Sequence, residues 1–314
     1  MFNARPAGTI PAAFTLPIRL ITVGDAGSLM AVHVAGRLDS ARVPLICIAG
    51  YQRNMSDFTD FTPLFQRLMA TDWPVVLIDL RGRGRSAYRV RGTDYASTND
   101  ARDVSAVVRA LGIESAIFVG QGYGGQVIMA LGAERPTAIA GAVLIDAGPV
   151  TAARGLVRMR SNLRQIGELR GASGLRTMFR KMLAADYPGA DEAQLDRLTG
   201  RAHSIEADGR AQPLFDAALI KLLDDFGQDD ILVPQWPLFD TLMGMPLMFL
   251  RTQLTDQLSP EILDAMMERR PDATSFIITN QGSPALLDHV EDAAAIAEFV
   301  HNTVKLNGRT LKRA

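Results

Sequence analysis

The sequence predicts an α/β fold with a mostly parallel central sheet, helices on both faces of that sheet, and a helical lid insertion. Three observations predict it: short aliphatic runs alternate with helical patterns, the alternation stops after Gly148, and it resumes near residue 247. Repeated strand–helix–strand units imply parallel strands joined by right-handed crossovers. The predicted domain organisation is therefore a core at 1–149 and 243–314, interrupted by the insertion at 150–242.

The first half of the core is expected to open with an antiparallel pair, residues 15–23 and 29–35, across a turn from Gly24 to Gly27. The runs that follow are β-branched or aliphatic, as in strands covered on both faces, and lie at 45–49, 75–80, 116–119 and 142–145. Helical patterns separate them at 58–69, 100–111 and 124–133.

The insertion has helical patterns throughout, with breaks at Gly171, at Pro188-Gly189 and at Gly209. Strands are expected again at 247–250 and 275–279. Ser259 followed by proline predicts a helix start between them. Asp288, with glutamate three residues on, predicts a capping box at the start of the last helix.

Composition narrows the function classes. Hydrophobic residues make up 47% and charged residues 21% of the 314 residues, which is typical of a soluble globular enzyme. The net charge of -1 argues against binding to nucleic acid or an anionic membrane, since either needs a basic surface. We find no apolar stretch that could span a membrane and no secretion signal, and the lone Cys47 precludes an internal disulfide. We therefore expect a cytoplasmic protein.

Residues 119–125 (Val-Gly-Gln-Gly-Tyr-Gly-Gly) lie where a strand pattern passes into a helix pattern. They resemble the Gly-x-Ser-x-Gly turn called a nucleophile elbow, in which a strained serine presents its hydroxyl to the substrate. Here the attacking position is Gly122, which has no side chain. Because glycine tolerates the strained backbone, the turn can persist without its nucleophile.

Four further segments extend this resemblance: 48–51 (Ile-Ala-Gly-Tyr), 79–86 (Asp-Leu-Arg-Gly-Arg-Gly-Arg-Ser), 145–149 (Ile-Asp-Ala-Gly-Pro) and 251–256 (Arg-Thr-Gln-Leu-Thr-Asp). In this order and spacing they resemble the lidded α/β hydrolases of the bacterial esterase and lactonase type. The resemblance covers nearly the whole chain. It implies that the four segments are, in chain order, an oxyanion-hole loop, a tight turn, the passage into the lid and an acid-bearing loop.

The resemblance also implies a serine–acid–histidine triad, in which histidine takes the proton of serine and the acid orients histidine. Gly122 stands at the serine position, Asp256 matches the acid, and Ser283 stands at the histidine position. Two of the three members are therefore replaced, and triad members act as a unit. We interpret Asp256 as a loop tether in preference to a functional acid, because its expected histidine partner is missing.

Other parts of the site are expected to remain. Gly50 and Tyr51, with the amide of Tyr123, could still bind a carbonyl oxygen. Trp236 and Phe239 are candidates for the pocket wall, with ordinary packing between lid and core as the alternative.

Substitutes for the missing groups are not evident in the sequence. We interpret His289 as a helix-start residue in preference to a displaced base, and His33, His203 and His301 stand alone. No cluster has metal-ligand spacing, so we expect neither a metal nor a cofactor.

Three hypotheses about function follow. The favoured one is a non-hydrolytic pseudoenzyme that binds a small, largely apolar, carbonyl-containing ligand. The second is a non-covalent enzyme, such as a lyase or isomerase, with Asp256, Ser283, Tyr51 or Tyr123 as the acid or base. The third is a hydrolase in which water attacks directly, which family membership alone recommends. The sequence leaves the oligomeric state open.

Overall fold

The computed structural model describes residues 14–24, 27–39, 42–151, 153–227, 230 and 232–311. Its strands are β1 (Arg19–Val23), β2 (Ser28–Ala35), β3 (Leu45–Ile48), β4 (Val75–Ile78), β5 (Ala116–Gln121), β6 (Ile139–Ile145), β7 (His203–Ile205), β8 (Ala211–Pro213), β9 (Leu247–Thr252) and β10 (Thr274–Ile278). Within the described residues, eight strands form one sheet in the order β1-β2-β4-β3-β5-β6-β9-β10. β2 pairs antiparallel with β1 and β4, and the other neighbours run parallel.

Helices cover both faces of this sheet. They are α1 (Phe61–Leu68), α2 (Ser97–Ala110), α3 (Tyr123–Glu134), α4 (Ala153–Glu168), α5 (Ala172–Asp186), α6 (Glu192–Gly200), α7 (Ala218–Lys221), α8 (Trp236–Asp240), α9 (Pro260–Arg269) and α10 (Val290–Leu311). Side chains of α2, α3 and α9 bury one sheet face, and those of α1 and α10 bury the other. The predicted fold class is confirmed.

The central strands are buried along their whole length, which explains their continuous aliphatic sequences. β3, β5, β6 and β9 are parallel neighbours, so the loops that follow them meet at one edge of the sheet. In sheets of this kind ligands bind outside the carboxyl ends of the strands. The topology therefore brings Gly50, Gly122, Asp146 and Asp256 to the same edge.

The segment between β6 and β9, called here the insertion, is mostly helical in its described residues up to Lys221, apart from one hairpin, and its described residues at 222–227, 230 and 232–235 are turn or coil. β7 and β8 form an antiparallel hairpin, and Gly209 lies in its turn with a φ of 74°. The expected break at Gly209 is therefore a hairpin turn, and the prediction of helical structure throughout the insertion is wrong there. Two three-residue strands separated by polar residues carry too short an alternation to be distinguished from a helix end.

The predicted helix starts have different outcomes. Ser259 accepts a hydrogen bond from the amide of Ile262 at 3.4 Å, so it caps α9 as expected. The prediction of a capping box at Asp288 is wrong, because α10 begins at Val290 and the carbonyl of His289 accepts from the amide of Ala293. Of the expected first turn, Gly27 donates to the carbonyl of Gly24, and residues 25 and 26 lie outside the described residues.

None of the helices in the described part of the chain combines the length and apolarity that crossing a membrane requires.

Candidate functional site

A cavity of about 560 Å³ lies between the insertion and the carboxyl edge of the sheet. Its lining includes every triad and oxyanion position inferred from the sequence: Gly50, Tyr51, Gly122, Tyr123, Asp256 and Ser283. The insertion supplies a mostly apolar wall that includes Leu156, Met159, Leu163, Phe179, Met182 and Phe215. Pockets of this size, apolar with a few convergent polar groups, are typical of small-molecule sites.

The elbow keeps its shape without a nucleophile. Gly122 lies between β5 and α3 with φ 50° and ψ −113°, a left-handed conformation that favours glycine. Its amide donates to the carbonyl of Ile145 at 2.8 Å, which ties the turn to β6. Gly124 permits α3 to approach β3, because a Cβ there would lie 2.3 Å from the carbonyl oxygen of Ile48.

Gln257 fills the space that a side chain at the elbow would enter. A Cβ built on Gly122 would lie 2.5 Å from Oε1 of Gln257. The main-chain amide of Gln257 donates to Oγ1 of Thr255 at 3.1 Å, which holds the loop after β9 in place. A carboxamide thus stands where the serine hydroxyl of a hydrolase would be.

Ser283, which stands at the position predicted for the histidine, belongs to a chain of hydrogen-bonded side chains. Its Oγ donates to Oδ2 of Asp146 and lies 3.1 Å from Oγ1 of Thr255. Asp146 accepts two further bonds, from the amide and the hydroxyl of Thr252 at 2.8 and 2.6 Å. The carboxylate that reaches the histidine position therefore comes from the loop after β6.

Asp146 also lines the cavity and is 3% exposed. Burial raises its pKa from the usual 3.8 to about 6, while the hydrogen bonds from Ser283 and Thr252 act in the opposite direction. A carboxyl with a pKa near the ambient pH can exchange protons with a bound molecule. The resemblance had indicated residues 145–149 as a passage into the lid and had not singled out Asp146.

Asp256 lines the same cavity but has a different partner. Its Oδ2 lies 2.7 Å from Nε of Arg158 on α4, and Arg158 also reaches Asp186 at the end of α5 at 3.4 Å. The side chain of Asp256 is 34% exposed. This ion pair links the loop after β9 to the insertion.

The oxyanion-hole positions are fixed by a buried arginine. Arg83 is fully buried, and its Nε donates to the carbonyl of Tyr51 at 2.8 Å. Its guanidinium lies 5.5 Å from the ring centroid of Tyr51 and 5.2 Å from that of Tyr123. Asp100 accepts from the Tyr123 hydroxyl at 2.9 Å and lies 3.3 Å from Nη1 of Arg83.

Both tyrosines line the cavity, and the hydroxyl of each donates to a protein oxygen: that of Tyr51 to the carbonyl of Leu219 at 3.2 Å, and that of Tyr123 to Asp100. Burial raises the pKa of Tyr51 to about 12 and raises that of Tyr123 well above its usual value of 10. Neither phenol therefore loses its proton near neutral pH, so neither can act as a base there. The amide of Tyr123 lies at the first position of α3, where helix amides have no partner within the helix.

Trp236 and Phe239 were candidates for the pocket wall, and the structure places them elsewhere. Neither side chain lines the cavity: Phe239 is 1% exposed and packs 5.9 Å from Phe249 of β9, centroid to centroid. Trp236 lies 5.7 Å from Phe239 and covers the guanidinium of Arg269. α8 turns its aromatic face to the core, so these residues perform the packing role that the sequence analysis gave as the alternative.

The histidines separate into two groups. His289 is 70% exposed and lies outside the cavity lining, which agrees with its interpretation as a helix-start residue. His203, which the sequence did not single out, lines the cavity from β7. Nothing in the sequence indicated this position, because the short hairpin that carries His203 has no recognisable pattern. No group of three or more potential ligand side chains in the described residues could hold a metal ion.

Comparisons with known proteins agree with this fold. A model of the alpha/beta hydrolase family matches residues 45–299. An α/β hydrolase structure from Novosphingobium aromaticivorans is 29% identical, with a TM-score of 0.77 over 91% of this chain and 98% of that one.

Two esterase structures support the fold alone. The esterase RhEst1 from Rhodococcus is 22% identical, with a TM-score of 0.65 over 90% of this chain and 98% of that one. The Thermogutta terrifontis esterase is 16% identical, with the same TM-score over 91% and 99%. No curated protein matches the sequence. Since the family model matches most of the chain, this protein belongs to the α/β hydrolase family.

Proposed function

We propose that this protein is a non-hydrolytic member of its family that binds a small, largely apolar, carbonyl-containing molecule. One observation carries the proposal: the cavity and elbow are formed, yet Gly122 and Ser283 provide neither a nucleophile nor a base. An acyl-transfer mechanism needs both, because the base must take the proton of the attacking hydroxyl.

The chemistry of the lining supports this class of ligand. The wall supplied by the insertion is mostly apolar, so it favours a hydrocarbon body. At the elbow, the amide of Tyr123 and the loop at Tyr51 can hold a carbonyl oxygen. The Gln257 carboxamide, beside Gly122, can hydrogen-bond to the same end of the ligand.

Binding is tested by calorimetry with a panel of medium-chain methyl ketones, esters and lactones. Leu156→Trp fills the cavity, so we expect it to weaken binding at least about tenfold. Leu254→Trp is the matched control, because Leu254 is 41% exposed and lies outside the lining. Equal affinity in the two variants would show that these compounds bind elsewhere, and an absence of binding to the unaltered protein would contradict the proposal.

A second candidate is a non-covalent enzyme that moves a proton next to a carbonyl group. The observation that favours it is Asp146, a cavity-lining carboxyl whose pKa burial raises to about 6. The Asp146 carboxylate would take a proton from the carbon beside the carbonyl, and the electron pair would move onto the carbonyl oxygen. Amides at the elbow would stabilise that oxygen until the carboxyl returns a proton to carbon.

Deuterium incorporation into the same methyl ketones, followed by proton NMR in heavy water, tests this candidate. We expect exchange faster than in buffer and a loss of about a hundredfold in Asp146→Asn, because a positioned acid or base contributes on this order. Asp264→Asn, on the exposed side of α9 and outside the cavity lining, should leave the rate unchanged. Exchange at the buffer rate, or an undiminished rate in Asp146→Asn, would remove the candidate.

A further inference from the structure

His203 is a buried imidazole in an aromatic part of the cavity. It is 8% exposed, and its ring centroid lies 4.9 Å from that of Phe179 and 5.7 Å from that of Phe215. All three residues line the cavity, with β7 contributing the histidine. The polar side chain thus lies in the apolar wall supplied by the insertion, on a different element from the elbow.

The imidazole has no hydrogen-bond partner among the described residues, whereas most polar groups in protein interiors have one, and its ring nitrogens retain some accessible surface. His33 provides the comparison, because it is equally buried and its Nδ1 lies 2.7 Å from the carbonyl oxygen of Pro17. An unpaired buried polar group costs free energy. In a cavity lining, that cost is relieved when a bound molecule supplies the partner.

Arg53 determines what that partner can be. Its Nε and Nη2 bind the carboxylate of Asp57, with 2.8 Å between Nε and Oδ2, and no described residue accepts from its Nη1. Burial, and secondly the positive charge of Arg53, lower the pKa of His203 to about 3, so the ring is neutral at physiological pH. The positive charge of Arg53 disfavours a cationic ligand group beside His203. The negative charge of Asp57 offsets that of Arg53, so an anionic group is not attracted either.

We infer that His203, with Arg53 of the loop after β3 as a second donor, forms a second polar subsite of the cavity, which binds a neutral hydrogen-bond-accepting oxygen of the ligand. This inference rests on the proposed binding function. The ligand class is thereby narrowed to apolar molecules with two neutral oxygen functions: a carbonyl group at the elbow and a second keto, ether or ester oxygen at His203. The neutral imidazole N–H and Nη1 of Arg53 are the donors.

The test compares straight-chain methyl ketones with terminal diketones of matched chain length, roughly six to fourteen carbons, by calorimetry. One well-placed hydrogen bond in a dry site is expected to make at least one diketone about tenfold tighter than its matched ketone. His203→Phe keeps the ring packing against Phe179 and Phe215 but removes the donor. The advantage is measured as the ratio of the two affinities within each variant, and His203→Phe should abolish it.

His203→Gln retains a donor and should recover part of the advantage, which separates hydrogen bonding from a loss of structure. In addition, the ring nitrogen resonances of His203 should shift when the diketone binds and stay unchanged with the ketone. If ketones bind but no diketone binds more tightly, or if His203→Phe leaves the advantage intact, the second subsite is overturned and the proposed function stands. If neither series binds the unaltered protein, the proposed function fails, and the subsite fails with it.

Discussion

Asp146 joins the loop after β6 to Ser283 and makes fold stability sensitive to pH. Its pKa is about 6 in the folded chain against the usual 3.8, because burial disfavours the charged form. Between these two pKa values, the folded state therefore retains a proton that the unfolded chain has already lost. The contribution of this carboxyl to stability falls as pH rises from about 4 to about 6 and stays low above that range.

Asp146→Asn removes this titration, and the shift corresponds to roughly 3 kcal/mol. We compare the free energy of unfolding of the variant with that of the unaltered protein. As the pH rises from 4 to 7.5, this difference should shift in favour of the variant by up to that amount. Denaturant unfolding at the two pH values measures it, with Asp264→Asn on the exposed side of α9 as the control. A pH-independent difference, or a change of opposite sign, would mean that the pKa of Asp146 is not raised.

At the level of single residues, the sequence predicted the elbow correctly but not the partner of Ser283. The position of Gly122 between β5 and α3 follows from local patterns, because a strand, a glycine-rich turn and a helix are consecutive in the chain. The contact between Asp146 and Ser283 joins residues 137 positions apart. Only the parallel alignment of β6, β9 and β10 in the sheet brings them together, so no local pattern could have indicated it.

At the level of elements, Arg158 links the insertion to the core. Its bond to Asp256 joins α4 to the loop after β9, and its bond to Asp186 reaches the end of α5. The carbonyl of Asp186 also accepts from the amide of Gly282 at 2.6 Å, beside Ser283. On this side of the cavity, these contacts join α4 and α5 of the insertion to the loops after β9 and β10.

Arg158→Gln should increase amide hydrogen exchange in α4 and in the loop after β9, since the link between them is lost. The melting temperature should fall by no more than about 2 °C, because partly exposed ion pairs contribute little to global stability. Arg164→Gln is the matched control: Arg164 is on the same helix and pairs with Asp224 inside the insertion at 2.9 Å. Unchanged exchange in the loop after β9 in Arg158→Gln would show that the ion pair does not hold the insertion to the core.

The core elements were predictable because their burial imposes clear sequence patterns. β4, for example, is four aliphatic residues with both faces covered, and its position was predicted to within two residues. The hairpin of β7 and β8 was missed because each strand has three residues, and its only strong local signal, Gly209, fits a helix break equally well. Missing this hairpin also concealed the placement of His203 in the cavity.

At the level of the whole molecule, the fold and the reactive groups lead to different expectations. The family model and the strand order define an α/β hydrolase, whereas Gly122 and Ser283 stand at the positions that we interpret as those of the serine and the histidine. Function resides in the site and not in the fold. The central claim is therefore that a formed binding cavity persists here without triad chemistry.

Turnover of short-chain esters and lactones tests this claim most directly, with the unaltered protein measured beside the double variant Gly122→Ser, Ser283→His. Among the surrounding atoms, a Cβ at position 122 would crowd only the flexible end of Gln257, and the serine would adopt the strained φ of 50°, as expected of a nucleophile elbow. A histidine at 283 would face Asp146. The account predicts no turnover by the unaltered protein and hydrolysis by the double variant, reduced further by Asp146→Asn than by Asp256→Asn. Hydrolysis by the unaltered protein at a rate above buffer would contradict it.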